Sequence, residues 1–238
     1  MNRTLPSARV GEDELRITRS PRTWLTYAPR DLLPRGLDAI RERGGGEVRW
    51  WVTDPHEDDT AAAAAHGLVA ERDLLQMFVP LPVGEPVPPI ALRTFEPGKD
   101  EDAWVEVNNR AFAAHPEQGG WTRDVIELRE QEPWFDPDGF LLHHDPSTGR
   151  LAGFVWTKVH DDETPPVGEI YVIAVDPDFA GHKLGRALTL AGLDWMHRNR
   201  SVERGMLYVD AANEPAVRLY TSVGFTVDHV DRAYAGVV

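Results

Sequence analysis

The sequence predicts an α/β (α+β) protein with a mixed central sheet flanked by helices, preceded by a truncated half-domain. Strand and helix patterns alternate from residue 90 to the end. The segment 80–89, PLPVGEPVPP, has five prolines in ten residues and predicts a linker. The residues before it carry a shorter version of the same pattern. We therefore expect a first half at 1–80, a linker at 81–89 and a second domain at 90–238.

The first half reads as helix, strand, helix and strand. Apolar spacing and residue type predict a helix over 32–43, a strand over 48–53, an alanine-rich helix over 59–66 that ends at Gly67, and a strand over 74–79. No glycine-rich phosphate loop lies within it. No phosphate-binding site is therefore expected in this half.

The second half has a fuller order of elements. The predicted segments are strand 91–94, helix 101–113, helix 122–130, strand 139–144, strand 151–160, strand 169–175, helix 185–199, strand 204–209, helix 214–223 and a strand pair across 226–234. The last four repeat the order of the first half. This repetition predicts an internal duplication whose first copy has lost its front.

Composition excludes several classes of function. A formal net charge of −14 argues against nucleic acid, whose phosphates require a basic surface. No run of about 18 apolar residues predicts a membrane span. Cysteine is absent, and the nine histidines do not combine with acidic residues at metal-ligand spacing, so no metal site is expected. We expect a monomeric cytoplasmic protein.

The stretch 168–196 carries the first chemical signal. Its apolar strand ends at Asp176 and Pro177, a loop with Gly181 and Gly185 follows, and a helix then begins. Such a junction directs free N–H groups of the loop and first helical turn at one spot, where the helix dipole also favours an anion. The spot suits a pyrophosphate, although a generic strand-loop-helix junction shares the pattern.

The stretch 207–227 supplies a second signal. Asn213 follows a strand, a helix carries Tyr220 near its end, and Gly224 and Phe225 come next. This N-x-x-A-x-x-x-Y-x-x-x-G-F pattern, at the right distance after the loop, resembles the GNAT acetyltransferases. The resemblance implies the acyl-CoA N-acyltransferase fold, acetyl-CoA as co-substrate and an amine as acceptor.

Amine attack on a thioester requires a base, donors for the developing oxyanion and an acid for the departing thiolate. Glu169 begins a strand among apolar neighbours and is the candidate base, acting directly or through a water. The resemblance implies Tyr220 as general acid and the backbone N–H groups around Ile173–Val175 as donors to the acetyl carbonyl, because that strand splays from its neighbour in the family's fold.

One departure concerns the pyrophosphate loop. The family pattern is Q/R-x-x-G-x-G/A, but this chain has Ala180 at the first position and Lys183 where the first glycine is expected. Lys183 adds a cation near the expected pyrophosphate, and Gly181 supplies backbone freedom earlier in the loop. The effect on acetyl-CoA affinity is left open by the sequence.

Four further motifs resemble the catalytic half of the mycothiol synthase family over residues 93–234. They are VNNRAFAAHPEQGGWT (107–122), WFDPDG (134–139), GFVWTKVH (153–160) and GEIYVIAVDP (168–177). That family acetylates the cysteinyl amine of a cysteine-glucosamine-inositol precursor. Its two tandem GNAT-like halves, of which only the second is catalytic, explain a truncated first half.

This resemblance implies two sets of site residues. The substrate-binding residues are Glu117, Lys158, Glu169 and Tyr208. The acetyl-CoA-binding residues are Ile173, Ala174, Val175, Ala180, Gly181, His182, Lys183, Leu184, Gly185, Arg186, Asn213, Glu214, Pro215, Ala216, Val217 and Arg218.

Three functions remain open at this point. The first is acetylation of the mycothiol precursor, and the second is acetylation of another small-molecule or peptide amine. The third is a degenerate GNAT fold that binds a ligand or partner without catalysis. Retention of both Glu169 and Tyr220 counts against the third. Convergence of the four substrate-binding residues beside the acetyl-CoA sulfur would favour the first.

Overall fold

The computed structural model describes residues 16–19, 23–113, 115 and 118–238. These described residues form ten β-strands and six α-helices. The strands are β1 (Ile17–Arg19), β2 (Thr23–Thr26), β3 (Glu47–Thr53), β4 (Val69–Pro80), β5 (Arg93–Thr94), β6 (Phe140–His144), β7 (Leu151–His160), β8 (Val167–Val175), β9 (Arg204–Asp210) and β10 (Thr226–Val237). The helices are α1 (Leu33–Arg41), α2 (Glu57–Ala65), α3 (Glu101–Ala111), α4 (Arg123–Glu130), α5 (Leu184–Arg200) and α6 (Glu214–Val223).

The chain divides into two compact units. The first contains residues 78–207 and 218–226. The second contains the described residues up to Met77, together with 208–217 and 227–238. The two compact units are therefore not divided at the domain boundaries that the sequence predicts. The division into 1–80, 81–89 and 90–238 stays a prediction about sequence organisation.

The sheet of the first unit has the strand order β9-β8-β7-β6-β5. Strand β7 is antiparallel to both β6 and β8, whereas β8 runs parallel to β9 with Gly168 opposite Gly205 and Glu169 opposite Met206. This mixed sheet confirms the predicted fold class. The mixture places the ends of β8 and β9 at one edge, where α5 and α6 follow them.

Helices cover both faces of this sheet. Successive residues of β7 point to opposite faces. Phe154 and Trp156 pack against α3 and α4 in an aromatic cluster around the fully buried Trp104, whose ring centroid lies 5.8 Å from that of Trp156. On the other face, a Cβ on Gly192 of α5 would lie 2.8 Å from Val155 Cγ2. Glycine therefore allows α5 to approach the sheet closely.

The second unit has the strand order β1-β2-β3-β10-β4 and its own core. Trp50 of β3 is fully buried beside Tyr234 of β10, with 5.4 Å between ring centroids. The indole Nε1 of Trp50 donates a hydrogen bond of 2.8 Å to the Ala28 carbonyl. The buried N–H group is therefore satisfied, as a polar atom in a core requires.

Two helix ends support the predicted duplication. At the end of α2, Leu68 N–H bonds the Ala63 carbonyl and Gly67 N–H bonds the Ala64 carbonyl, with Gly67 at φ +74°. At the end of α6, Phe225 and Gly224 make the same pair of bonds back into the helix, with Gly224 at φ +111°. Both ends are Schellman motifs, in which glycine adopts the left-handed conformation without steric cost. In each case a 12-residue strand follows.

The sequence prediction was wrong at several strands. Residues 226–234 belong to one continuous strand, β10, rather than a pair. Strand β4 begins at Val69, well before the predicted position, because its charged residues pair across the sheet: Asp73 accepts two hydrogen bonds from Arg232, at 2.6 and 2.7 Å. The short strands β1 and β2 were not predicted.

Candidate active site

Glu169 lies near the start of β8 and is almost completely buried, with 3% of its surface exposed. Its Cα is paired with that of Lys158 on β7, so both side chains lie on the same face of the sheet. Glu169 Oε2 lies 2.8 Å from His160 Nε2. A buried carboxylate requires such a partner, because its desolvation is otherwise costly.

A β-bulge shapes the surroundings of Lys158. Trp156 pairs with Val172 and Thr157 pairs with Ile170, which leaves Tyr171 as the extra residue of β8. The Lys158 Nζ lies 4.9 Å from the ring centroid of Trp134 and 6.0 Å from that of Tyr171. Both are within the range of a cation–π interaction. Burial raises the pKa of Tyr171, so its phenol keeps its proton at neutral pH.

The two asparagines of the motif VNNRAF hold the loop that leads to α4. Asn108 Nδ2 donates 2.8 Å to the Gln118 carbonyl. Asn109 bonds Trp121 twice, donating to its carbonyl at 2.8 Å and accepting from its N–H at 2.9 Å. The unusual QGGW sequence is therefore fixed by side chains of α3. The predicted substrate-binding residue Glu117 lies outside the described residues.

Tyr208 belongs to the second unit, where its hydroxyl accepts a 2.6 Å hydrogen bond from Gln76 Nε2. Of the four predicted substrate-binding residues, the structure therefore brings Lys158 and Glu169 together on adjacent strands. Convergence of all four remains a prediction.

Strand β8 also offers backbone donors. The Asp176 N–H bonds the Ala152 carbonyl on the β7 side, at 2.9 Å. Because successive N–H groups of a strand point to opposite edges, those of Ile173 and Val175 point to the other edge. These two N–H groups are the ones predicted to polarise an acetyl carbonyl. Ala174, between them, packs into the core.

The loop after β8 leads directly into the first turn of α5. It has two left-handed residues, Gly181 at φ +83° and Lys183 at φ +60°. Lys183 is the residue before α5, and its carbonyl accepts the Ala187 N–H at 3.2 Å. The preceding N–H groups of the first turn, which include those of Leu184 and Gly185, form the positive end of the helix dipole. The loop is exposed, and a Cβ at Gly181 would meet open space.

Lys183 thus has a left-handed conformation at the position where the family pattern has glycine. An L-residue in the left-handed region carries strain of about 1–2 kcal/mol. The departure from the family pattern at Lys183 therefore carries backbone strain. His182 lies beside it, with Nδ1 at 3.1 Å from the Phe179 carbonyl.

A charge network that the sequence analysis missed fixes the start of this loop. The side chain of Asp176 is 1% exposed and accepts the Asp178 N–H at 2.9 Å. Arg110 of α3 lies 3.2 Å from Asp176 and 2.9 Å from Asp178, and Arg150 lies 3.6 and 2.9 Å from the same two carboxylates. Hydrogen bonds from Arg150 and Arg110 lower the pKa of Asp178. The loop is therefore tied to α3 and to the residue that precedes β7.

Arg186, a predicted acetyl-CoA-binding residue, is held by the proline-rich linker. Its Nε donates 3.1 Å to Glu85, and its Nη1 donates 2.6 Å to Ser222 Oγ. The Arg186 guanidinium lowers the pKa of Glu85. The linker residue Glu85 thus holds the Arg186 guanidinium in the first turn of α5. The position of Glu85 in a proline-rich segment did not predict this contact.

Helix α6 begins and ends with the predicted residues. Asn213 caps it, accepting the Ala216 N–H at 3.3 Å. Glu214 and Pro215 are exposed in the first turn, and Val217 N–H bonds the Asn213 carbonyl at 3.0 Å. These residues lie in the second unit, whereas Arg218 and Tyr220 lie in the first.

Tyr220 is buried, with its ring centroid 5.8 Å from that of Phe225. Burial raises its pKa to about 12. The phenol therefore remains a proton donor throughout the neutral range, as a general acid must.

In the part of the chain that the structure describes, no group of three or more His, Asp or Glu side chains is arranged to hold a metal ion. None of the described helices is long and apolar enough to cross a membrane.

With this geometry established, comparison with known proteins shows the family. The sequence model of the acetyltransferase (GNAT) family matches residues 102–225, more than half of the chain. The chain therefore belongs to the GNAT family of acetyltransferases, which confirms the predicted fold and the prediction of an N-acetyltransferase.

Its relatives narrow the class further. The chain is 52% identical over 204 residues to the mycothiol acetyltransferase of Thermomonospora curvata, covering 83% of this chain and 66% of that protein. It is 50% identical over 218 residues to that of Thermobispora bispora, covering 87% of this chain and 72% of that protein. The predicted resemblance to the mycothiol synthases is confirmed. The chain spans about two thirds of the length of these relatives.

Solved structures agree on the fold. A GCN5-related N-acetyltransferase from Sphaerobacter thermophilus has a TM-score of 0.70 at 23% identity, over 90% of this chain and 72% of that one. A tandem GNAT protein from the clavulanic acid biosynthesis pathway has a TM-score of 0.68 at 17% identity, over 90% and 75% of the two chains. At these identities the likeness concerns the fold alone.

Proposed function

We propose that this chain transfers an acetyl group from acetyl-CoA to the cysteinyl amine of the cysteine-glucosamine-inositol precursor of mycothiol. The observation that carries the proposal is the 52% and 50% identity to two proteins named mycothiol acetyltransferase. The motifs HPEQGGW and WTKVH, which resemble that family, support the same substrate. The proposal includes a monomeric cytoplasmic protein, as the sequence predicts.

The residues present fit acetyl-CoA. The N–H groups at the start of α5 suit a pyrophosphate by their orientation and by the dipole of a 17-residue helix. The exposed Lys183 adds positive charge there, and Arg186, which Glu85 and Ser222 hold, lies in the same turn. The outward N–H groups of Ile173 and Val175 suit the carbonyl of an acetyl thioester. Acetyl-CoA supplies that thioester when it is bound.

The acceptor amine fits the face formed by Glu169 and Lys158. Glu169, as a buried carboxylate, attracts the ammonium of the substrate and removes its proton before attack. Lys158 and the aromatic rings of Trp134 and Tyr171 offer donors and flat surfaces to a hydroxyl-rich molecule. The family resemblance implies Glu117 and Tyr208 as further substrate-binding residues.

Tyr220 completes the proposed reaction as the acid. Its raised pKa, about 12, keeps the proton on the phenol until a thiolate departs. The N–C bond to the acetyl group forms, the C–S bond breaks, and the sulfur takes the Tyr220 proton. The nitrogen loses its second proton to solvent as the amide forms, and a proton from solvent restores the Tyr220 phenol. Glu169 and Tyr220 thereby act as base and acid in one turnover.

A second candidate is acetylation of a different amine on the same site. The lysine at φ +60° in the pyrophosphate loop favours it, because the residue marks divergence from the family pattern. The two candidates share acetyl-CoA and differ only in the acceptor.

A mass-spectrometric product assay distinguishes them. The purified chain is incubated with acetyl-CoA and the cysteine-glucosamine-inositol amine, and fragmentation of the product locates the acetyl group. We expect one acetyl group on nitrogen, and no acetylation of glucosamine-inositol, which lacks the cysteinyl amine. If acetyl-CoA binds but no product forms, the result would favour the second candidate, acetylation of another amine. Failure to bind acetyl-CoA would overturn both candidates.

A further inference from the structure

The buried Glu169 is connected to the outside of the fold by one imidazole ring. Glu169 Oε2 and His160 Nε2 lie 2.8 Å apart, a normal hydrogen-bond distance. The Glu169 side chain is 4% exposed, whereas that of His160 is 22% exposed. His160 is the last residue of β7, so its ring lies where the strand ends and an exposed turn begins.

Several charged and titratable groups surround this pair. Lys158 lies beside Glu169 on β7, and Tyr171 lies on the same face of β8. Arg129 of α4 and Glu132, which follows this helix, act electrostatically on Tyr171. Asp161, which follows His160, is held by Arg200 at 2.8 Å. Among these groups, His160 is the one at hydrogen-bond distance from the Glu169 carboxylate.

A base that is buried must lose its proton again before the next turnover. Water reaches a 3% exposed carboxylate poorly, so direct release from Glu169 would be slow. Imidazole can accept a proton on one nitrogen and release one from the other near neutral pH. The geometry places one ring nitrogen, Nε2, 2.8 Å from the carboxylate and leaves the ring partly exposed.

We propose that His160 relays the amine proton from Glu169 to solvent, an inference that rests on the proposed acetyl transfer. Glu169 takes the proton from the substrate nitrogen and passes it to His160 Nε2. The imidazolium then releases its Nδ1 proton to water, which returns Glu169 to the carboxylate and leaves the neutral ring with its proton on Nε2. Exchange with water moves that proton back to Nδ1 before the next turnover. Since His160 acts through Glu169, it is a positioning and relay residue that does not touch the substrate.

The test compares two variants of His160 in the intact chain. His160→Gln keeps a side-chain N–H that can reach Glu169 but cannot carry a proton, and His160→Ala leaves space for an added ring. We expect kcat to fall by about 10²-fold in both variants, with the KM for acetyl-CoA unchanged. His143→Gln is the matched control. His143 belongs to β6 and contacts the Ala91 carbonyl, away from Glu169.

Chemical rescue separates a relay from a structural role. Imidazole added to His160→Ala should restore the rate in proportion to its free base, whereas pyrazole, a ring of the same size that is not basic at neutral pH, should not. Equal rescue by both rings, or an unchanged kcat in His160→Gln, would overturn the relay alone. If the unchanged protein acetylates none of the cysteinyl amine, the proposed function fails and the relay with it.

Discussion

Replacing Asp176 with asparagine tests whether a buried carboxylate holds the loop that leads to α5. The Asp176 side chain is 1% exposed and lies 3.2 Å from Arg110 and 3.6 Å from Arg150. It also accepts the Asp178 N–H at 2.9 Å. Asparagine keeps the shape and one oxygen acceptor but removes the charge. The substitution therefore isolates the ionic contacts from the turn itself.

The expected loss of stability follows from burial. Breaking a buried ion pair costs about 3–5 kcal/mol when the remaining charge is left without water. Here the side chains of Arg110 and Arg150 are 37% and 46% exposed and can be rehydrated. The asparagine oxygen can still accept the Asp178 N–H. We therefore expect a loss of about 2 kcal/mol, equivalent to a fall in Tm of roughly 4–8 °C for a chain of this size.

Asp178→Asn is the matched control. Asp178 lies 2.9 Å from both Arg110 and Arg150, but its side chain is 49% exposed. Thermal melting should therefore show a clearly smaller loss for Asp178→Asn than for Asp176→Asn. Calorimetric titration should show weaker acetyl-CoA binding in Asp176→Asn, because the loop loses its anchor. Equal melting temperatures for the two variants would refute the argument that burial of Asp176 fixes the loop.

Three further predictions concern single side chains. Lys183→Gly should be more stable than Lys183→Ala by about 1 kcal/mol in urea unfolding, because only glycine relieves the left-handed strain at φ +60°; greater stability of the alanine variant would contradict this. Glu130→Gln should stabilise the protein at pH 8 and have no effect near pH 4.5. Burial, with repulsion from Glu101 and Glu127, raises the Glu130 pKa to about 7, so the native state loses stability as pH rises from 4.5 through 7. For Glu130→Gln we expect the free energy of unfolding at pH 8 to rise by ~1 kcal/mol, since partial exposure screens much of the shift. Identical pH profiles of this free energy in the variant and the unchanged protein would contradict the prediction. Tyr220→Phe should lower kcat by about 10²-fold with unchanged acetyl-CoA affinity, and a wild-type kcat would exclude Tyr220 as the acid.

Local signals in the sequence predicted much of the fold. Gly67 and Gly224 marked the ends of α2 and α6, because a left-handed cap strongly favours glycine. Asn213 marked the start of α6, because its side chain can cap the first turn. The strand-loop-helix order around Gly181 indicated where free N–H groups would gather. Each of these signals depends on residues within one turn of the chain.

Contacts between distant segments could not be predicted in this way. Asp176 reads as an ordinary end of a strand until α3 brings Arg110 to it. His160 and Glu169 become neighbours only through the register of β7 and β8. Strand β4 was predicted too short because its polar residues find partners, such as Arg232, on another strand. Charged residues in a strand can be read correctly only when their cross-strand partners are known.

The most direct test of the account measures a single turnover with excess protein over acetyl-CoA, in the unchanged chain and in Glu169→Gln. Glutamine preserves the size of the side chain and removes its ability to accept a proton. We predict a rate about 10²-fold lower in Glu169→Gln, and an unchanged rate in Glu163→Gln, the same substitution in an exposed turn. A Glu169→Gln rate equal to that of the unchanged chain would contradict the assignment of Glu169 as the base.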